Sequence, residues 1–224
     1  MPDRAVIFDL DGTLVDTAPD LMRATNHVLG LLGRPPISME EVRSFVGHGA
    51  RALLSRGLNA TGGLPEGYDV EPDYRRFVDF YAQNIAGGSV PYPGVIKLLQ
   101  RLTGDGLALG VCTNKLESLS ILLLDALDMS RFFGAIVGPD TIGIAKPDAR
   151  PFEETVNRLG LDSPRAVMIG DSETDILTAR NAGVPVIGVP FGYSLRPVQE
   201  FGPDRMISHF DEAYDAIQEL FALA

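Results

Sequence analysis

The chain has 224 residues, is 45% hydrophobic and 22% charged, and carries a net charge of −11. That is the composition of an ordinary soluble globular chain, not of a disordered or fibrous one. The acidic balance argues against sequence-independent nucleic-acid binding, which needs a basic surface. Apolar runs such as residues 121–124 are far too short to span a bilayer.

The chain starts Met-Pro-Asp-Arg and passes straight into a β-like run, leaving no room for a signal peptide. A cytoplasmic location is expected, with no membrane partner. Residues 5–8 are a short apolar run meeting Asp-Leu-Asp-Gly, which predicts a buried strand ending in a turn. Residues 17–86 then change rhythm, with helix signals and no convincing strand. Thr17 with Asp20, and Ser38 with Glu41, have the spacing of capping boxes. Leu21, Thr25, Val28 and Leu32 share a helical face; Phe77, Phe80, Tyr81 and Ile85 mark another stripe on a helix starting near Pro72. Residues 14–17 and the Gly/Pro-rich residues 87–93 bracket this segment as two strand-like linkers.

Beyond Pro93, helical patterns at 95–102, 118–127, 151–159, 175–182 and 211–223 alternate with apolar runs at 107–112, 135–137, 166–169 and 185–189. Such alternation predicts an α/β fold, a doubly wound parallel sheet covered on both faces by helices. Residues 1–16 and 87–224 form this core, and 17–86 an α-helical cap inserted after the first strand. Functional groups in such folds gather at the carboxyl ends of the strands.

Four strand ends carry chemistry. Asp9 and Asp11 are two apart, so an extended chain puts both on one face. Neighbouring carboxylates repel unless one is protonated or a cation sits nearby. Thr113 and Asn114 end a second strand, where a hydroxyl and free backbone amides suit a phosphate oxygen. Lys146 lies in a loop before a helix and could supply a point charge for phosphate. Asp171 and Asp175 are one helical turn apart, and oxygen-only carboxylate ligands suit Mg²⁺. Cys112, the single cysteine, reads as a buried strand thiol.

In this order the motifs resemble those of the haloacid-dehalogenase superfamily along essentially the whole chain: Asp9-Leu10-Asp11-Gly12-Thr13, then Thr113, Lys146, and Gly170-Asp171 through Asp175. The resemblance implies a Rossmann-like core with a helical cap. It implies Asp9 as nucleophile forming an aspartyl-phosphate, and Asp11 as its acid/base partner. It places Mg²⁺ on the Asp9 carboxylate, the Asp11 backbone carbonyl and Asp171, with Asp175 close by. Thr113, the Asn114 amide and Lys146 would hold the phosphoryl group. Superfamily dehalogenases lack the second Asp of the first motif, and phosphonatases need a cap lysine; residues 14–86 contain none.

The runs 11–21, 45–50, 113–115, 170–172 and 191–193 are similar to bacterial phosphoglycolate phosphatases, with departures at His48, where asparagine is common, and at Leu116, where proline is. A small phosphorylated metabolite, 2-phosphoglycolate first, is the expected partner of a monomer or homodimer. Gly47, His48 and Arg51 are cap candidates for its carboxylate, and Lys115 is a further candidate charge. Sugar-phosphate phosphatase, pyrophosphatase and phosphomutase are the rivals on the same scaffold. A receiver-like phosphoacceptor or a binding module is the rival from another class.

Overall fold

The run Ala5-Val6-Ile7-Phe8 has no polar face, so it belongs in a sheet covered on both faces. The computed structural model, which describes residues 3–161 and 165–223, places it there. Strand β1 (Arg4–Phe8) pairs in parallel with β4 (Ala108–Cys112) on one side and β6 (Arg165–Gly170) on the other. Outside these lie β5 (Ala135–Val137), and β7 (Val186–Gly188) followed by β8 (Arg205–Met206), giving the order β5-β4-β1-β6-β7-β8. All pairs are parallel.

Period-two alternation divides the strand residues between two apolar layers. Val6, Phe8, Leu109, Val111, Val167 and Ile169 face α5 (Val95–Gly104), α6 (Glu117–Ala126) and α10 (Ala213–Leu223). Ala5, Ile7, Cys112 and Met168 face α8 (Arg150–Arg158) and α9 (Glu173–Ala182). A short helix, α7 (Pro139–Ile142), follows β5. The sheet is thus doubly wound, as the alternation predicts. Strand β8 is the exception: its two residues are both exposed, so no apolar pattern marks it.

Between β1 and α5 the chain forms α1 (Ala18–Leu31), α2 (Met39–Phe45), α3 (Ala50–Ala60) and α4 (Glu71–Gln83). Val28, Leu29, Leu53, Leu54, Leu58, Phe77 and Tyr81 bury their side chains among these helices. The linkers are paired: β2 (Val15–Asp16) runs antiparallel to β3 (Val90–Pro91). The Ser38 capping box forms, with Ser38 N–H donating to Glu41 and Glu41 N–H to the Ser38 hydroxyl. The one expected at Thr17 does not. Its hydroxyl is buried without a hydrogen-bond partner, and Asp20 turns to the second linker instead. No helix among the described residues is long and apolar enough to cross a membrane.

Candidate functional site

The adjacent strands β4, β1 and β6 end at one edge of the sheet, and the residues just past those ends are Thr113, Asp9 and Asp171. Lys146 enters from the loop before α8, and Asp175 from the first turn of α9. Residues from four separate chain segments therefore converge through topology alone.

Lys146 is the hub. Its ammonium donates to Asp9 Oδ1 at 2.8 Å and to Asp175 Oδ1 at 2.5 Å, and all three side chains are buried. Carboxylate oxygens of Asp9, Asp171 and Asp175 lie within 4.8 Å of one another. Burial drives the Asp9 carboxyl up to about 6, against the pull of Lys146 and with help from Asp175. Asp171 is raised well above the ordinary carboxyl range, again by burial first and then by Asp175 and Asp9. Burial disfavours the Lys146 ammonium, but Asp175 and Asp9 outweigh it and hold its pKa above the usual lysine value. One lysine cannot neutralise three buried carboxylates.

The surroundings of Asp171 fit a cation. Thr13 Oγ1 donates to Asp171 Oδ1 at 2.7 Å and the Tyr193 N–H to Oδ2 at 2.7 Å. Its carboxylate is also cradled by backbone that tolerates no side chain. A Cβ on Gly12 would come within 2.6 Å of Asp171 Oδ2, and one on Gly192 within 2.2 Å. Buried, oxygen-only and over-negative, the donor set suits a hard divalent ion such as Mg²⁺. Both Asp175 oxygens are engaged, one by Lys146 and the other by the Ser172 N–H and hydroxyl, so Asp175 orients the lysine and caps α9.

Asp11 does not share these partners. The chain leaves extended geometry at Leu10, whose carbonyl accepts from Thr13, Leu14 and Val15, and Gly12 takes φ +91°. Asp11 consequently meets Lys115, whose ammonium donates to its two oxygens at 3.0 and 3.3 Å and to the Tyr81 hydroxyl at 2.8 Å. Asp9 and Asp11 nevertheless line the same cavity of about 230 Å³, together with Thr113, Asn114, Lys115, Lys146, Gly47, His48 and Arg51.

The candidates from the helical segment differ in state. Arg51 pairs with Glu71 at 2.6 Å and lies over the Tyr74 ring. His48 is held below the ordinary histidine range by burial and then by Arg56, which disfavours its cationic form. Asn114 uses its side chain in a way the sequence did not suggest. It donates to the carbonyls of Gly47 and Lys146 and accepts from Lys146 N–H, joining the Lys146 loop to the helical segment.

Two tyrosines escaped sequence reasoning. Tyr81 reads as one more member of an apolar stripe, and nothing in that stripe shows its hydroxyl reaching Lys115. Tyr193 links Asp171 to the linkers: its hydroxyl accepts from the Thr17 and Ala18 N–H groups and donates to Asp16 at 2.6 Å. The only available signal was its place in the Phe191-Gly192-Tyr193 run.

A family model described as haloacid dehalogenase-like hydrolase matches residues 6–189. The chain is 49% identical over 205 residues to a phosphoglycolate phosphatase of Caulobacter vibrioides, covering 92% of this chain and 86% of that protein. It is 46% identical over 206 residues to one of Mesorhizobium japonicum, covering 92% and 91%. Among solved structures it resembles a predicted phosphoglycolate phosphatase from Haemophilus somnus, with a TM-score of 0.88, 30% identity, and 95% and 97% of the two chains covered.

Proposed function

From the premise that the chain belongs to the haloacid dehalogenase-like hydrolases, we propose that it hydrolyses a small phosphomonoester, 2-phosphoglycolate, through a covalent phosphoryl-Asp9 intermediate. The observation that carries the reading is the convergence of Asp9, Lys146, Asp171 and Asp175 at the ends of β1 and β6, beside a cavity that Asp11 also lines. The names of relatives at 46–49% identity support the substrate.

In this reading an Asp9 carboxylate oxygen attacks phosphorus, and the bond from phosphorus to the ester oxygen breaks. Asp11 gives the leaving alkoxide its proton. It then takes a proton from water, which attacks the phosphoryl group and returns Asp9 to its carboxylate. Lys146, the Thr113 hydroxyl and the Asn114 N–H hold the phosphoryl oxygens. Asp9, Asp171 and the Asp11 backbone carbonyl would hold Mg²⁺, with Asp175 behind them. When bound, the ion offsets the repulsion between carboxylate and phosphate. Residues 17–86 act as the cap, excluding bulk water over a small substrate, with Gly47, His48 and Arg51 at its inner edge.

The test is phosphate release from 2-phosphoglycolate beside phosphosugars, pyrophosphate and p-nitrophenyl phosphate, with Mg²⁺ or EDTA. Turnover should favour phosphoglycolate, need Mg²⁺, and vanish in Asp9→Asn. Preference for another ester would reject the substrate, and undiminished turnover by Asp9→Asn would reject the nucleophile.

A further inference from the structure

A substrate with a second negative group needs a cation on the leaving-group side of the cavity, where Asp11 sits. Four side chains could supply it. Lys146 is committed to Asp9 and Asp175 at the phosphoryl end. Arg51 is half-exposed and paired with Glu71, which is not among the residues lining the cavity, whereas the partner of Lys115 is Asp11 itself. His48 has its cationic form disfavoured by burial and Arg56. Lys115 is buried, lines the cavity, and stands directly on Asp11.

Lys115 is held by side chains alone, the Asp11 carboxylate and the Tyr81 hydroxyl. A ligand carboxylate can therefore join or replace Asp11 on the ammonium without breaking any backbone hydrogen bond of the Lys115 side chain. The spacing agrees. An ester oxygen in contact with Asp11 lies roughly 2.7 Å from it, and Asp11 is 3.0 Å from the Lys115 ammonium. In 2-phosphoglycolate one methylene separates the ester oxygen from the carboxylate carbon, so the carboxylate oxygens lie about 3 Å from the ester oxygen. Those lengths bring the carboxylate within reach of Lys115 while the ester oxygen stays on Asp11.

We propose that Lys115, positioned by Tyr81, selects substrates bearing a carboxylate one carbon from the scissile ester oxygen. This rests on the phosphomonoesterase reading above and assigns the specificity of that site. It also ties selection to the helical segment: Tyr81 belongs to α4, while Lys115 follows β4. The pair can form only when α4 is seated against the core.

The test measures binding, so it does not depend on turnover. In an Asp9→Asn background with Mg²⁺ present, titration calorimetry compares 2-phosphoglycolate with 2-hydroxyethyl phosphate, which replaces the carboxylate by a neutral group of similar reach. The acid should bind about 30-fold tighter, the scale of a buried charge-assisted hydrogen bond. Lys115→Met should bring the two affinities within about threefold of each other. Tyr81→Phe, which removes one hydroxyl, should lower the ratio roughly fivefold. A ratio kept in Lys115→Met, with both ligands weakened alike, would show that Lys115 only steadies Asp11 and would overturn the proposal. So would collapse of the ratio in Arg51→Met but not in Lys115→Met, or no preference for the acid at the outset. If Lys115→Met fails to fold, an unchanged ratio in Tyr81→Phe overturns it equally. Failure of the phosphatase reading shows separately, in the turnover of protein with Asp9 intact.

Discussion

Replacing Asp20 by alanine should cost about 2–6 kcal/mol of stability, although Asp20 lies outside the site. Its carboxylate accepts from Gly88 N–H at 2.9 Å, Ser89 N–H at 2.8 Å and the Ser89 hydroxyl at 2.7 Å, joining the first turn of α1 to the linker ahead of β3. The donors are not equivalent. Gly88 is exposed, so water can replace the lost acceptor; Ser89 is buried, so both its N–H and its hydroxyl would be stranded. Each orphaned buried donor costs about 1–3 kcal/mol, and the ion pair with half-exposed Arg23 adds almost nothing. Urea unfolding measures the change, which should lower the midpoint at constant m-value. Asp20→Asn should fall between wild type and alanine, since its one oxygen can accept from all three linker donors, which converge on Oδ2, but without the carboxylate's charge and with its amide turned toward Arg23. A loss below about 1 kcal/mol in Asp20→Ala would refute the assignment of the linker contact to this carboxylate.

Other expectations concern the carboxylate cluster. In EDTA, Asp9 should make the folded state less stable as pH rises from about 4 to 6. Burial lifts its carboxyl to about 6, so across that window the native chain holds a proton that the unfolded chain has released. The difference in Tm between wild type and Asp9→Asn isolates this term, and a difference favouring wild type with rising pH would refute it. Added Mg²⁺ should raise Tm more at pH 7 than at pH 4, and equal stabilisation at both would count against a site on these carboxylates. Gly192→Ala, whose Cβ would meet Asp171 at 2.2 Å, should weaken Mg²⁺ binding roughly 10- to 100-fold; an unchanged half-saturation concentration would show that Asp171 can shift freely. Lys146→Met should cost about 3–5 kcal/mol in EDTA, since it leaves buried Asp9 and Asp175 without their counter-charge, and a near-wild-type urea midpoint would show that these ion pairs add no net stability.

The central strands were legible because they are short runs with no polar face, and the helices around them because their apolar residues recur every turn. Strand β8 was not, since two exposed residues at a sheet edge carry no pattern. Asp171 and Asp175 do approach, but not through a shared helical turn: Asp171 lies ahead of α9, whose N-cap Ser172 is extended, and the two meet across the helix start. The Asp9–Asp11 relation did not follow from strand spacing, because the turn at Leu10 and Gly12 intervenes and sends the two carboxylates to different lysines. Thr17 with Asp20 has the letters of a capping box, but a long-range acceptor role for Asp20 won over the local one. Tyr81 and Asn114 were hidden for the same reason. Their hydrogen-bonding atoms act across 34 and 67 residues of sequence, a distance that no local pattern encodes.

The register of β1 against its neighbours has a wider consequence. Phe8 stands opposite Val111 on one side and Ile169 on the other, and β4 and β6 each run one residue further, so the chain leaves the three strands within one residue of the same level. Neighbouring strands are held about 4.8 Å apart by backbone hydrogen bonds, whatever side chains they carry. The sheet thus works as a ruler: Thr113, Asp9 and Asp171 are spaced by the peptide lattice and not by the packing of the core. Exchange of one apolar residue for another beneath the sheet can alter stability while leaving those intervals intact. A one-residue slip of β1 would instead turn Asp9 toward the opposite layer at a single stroke.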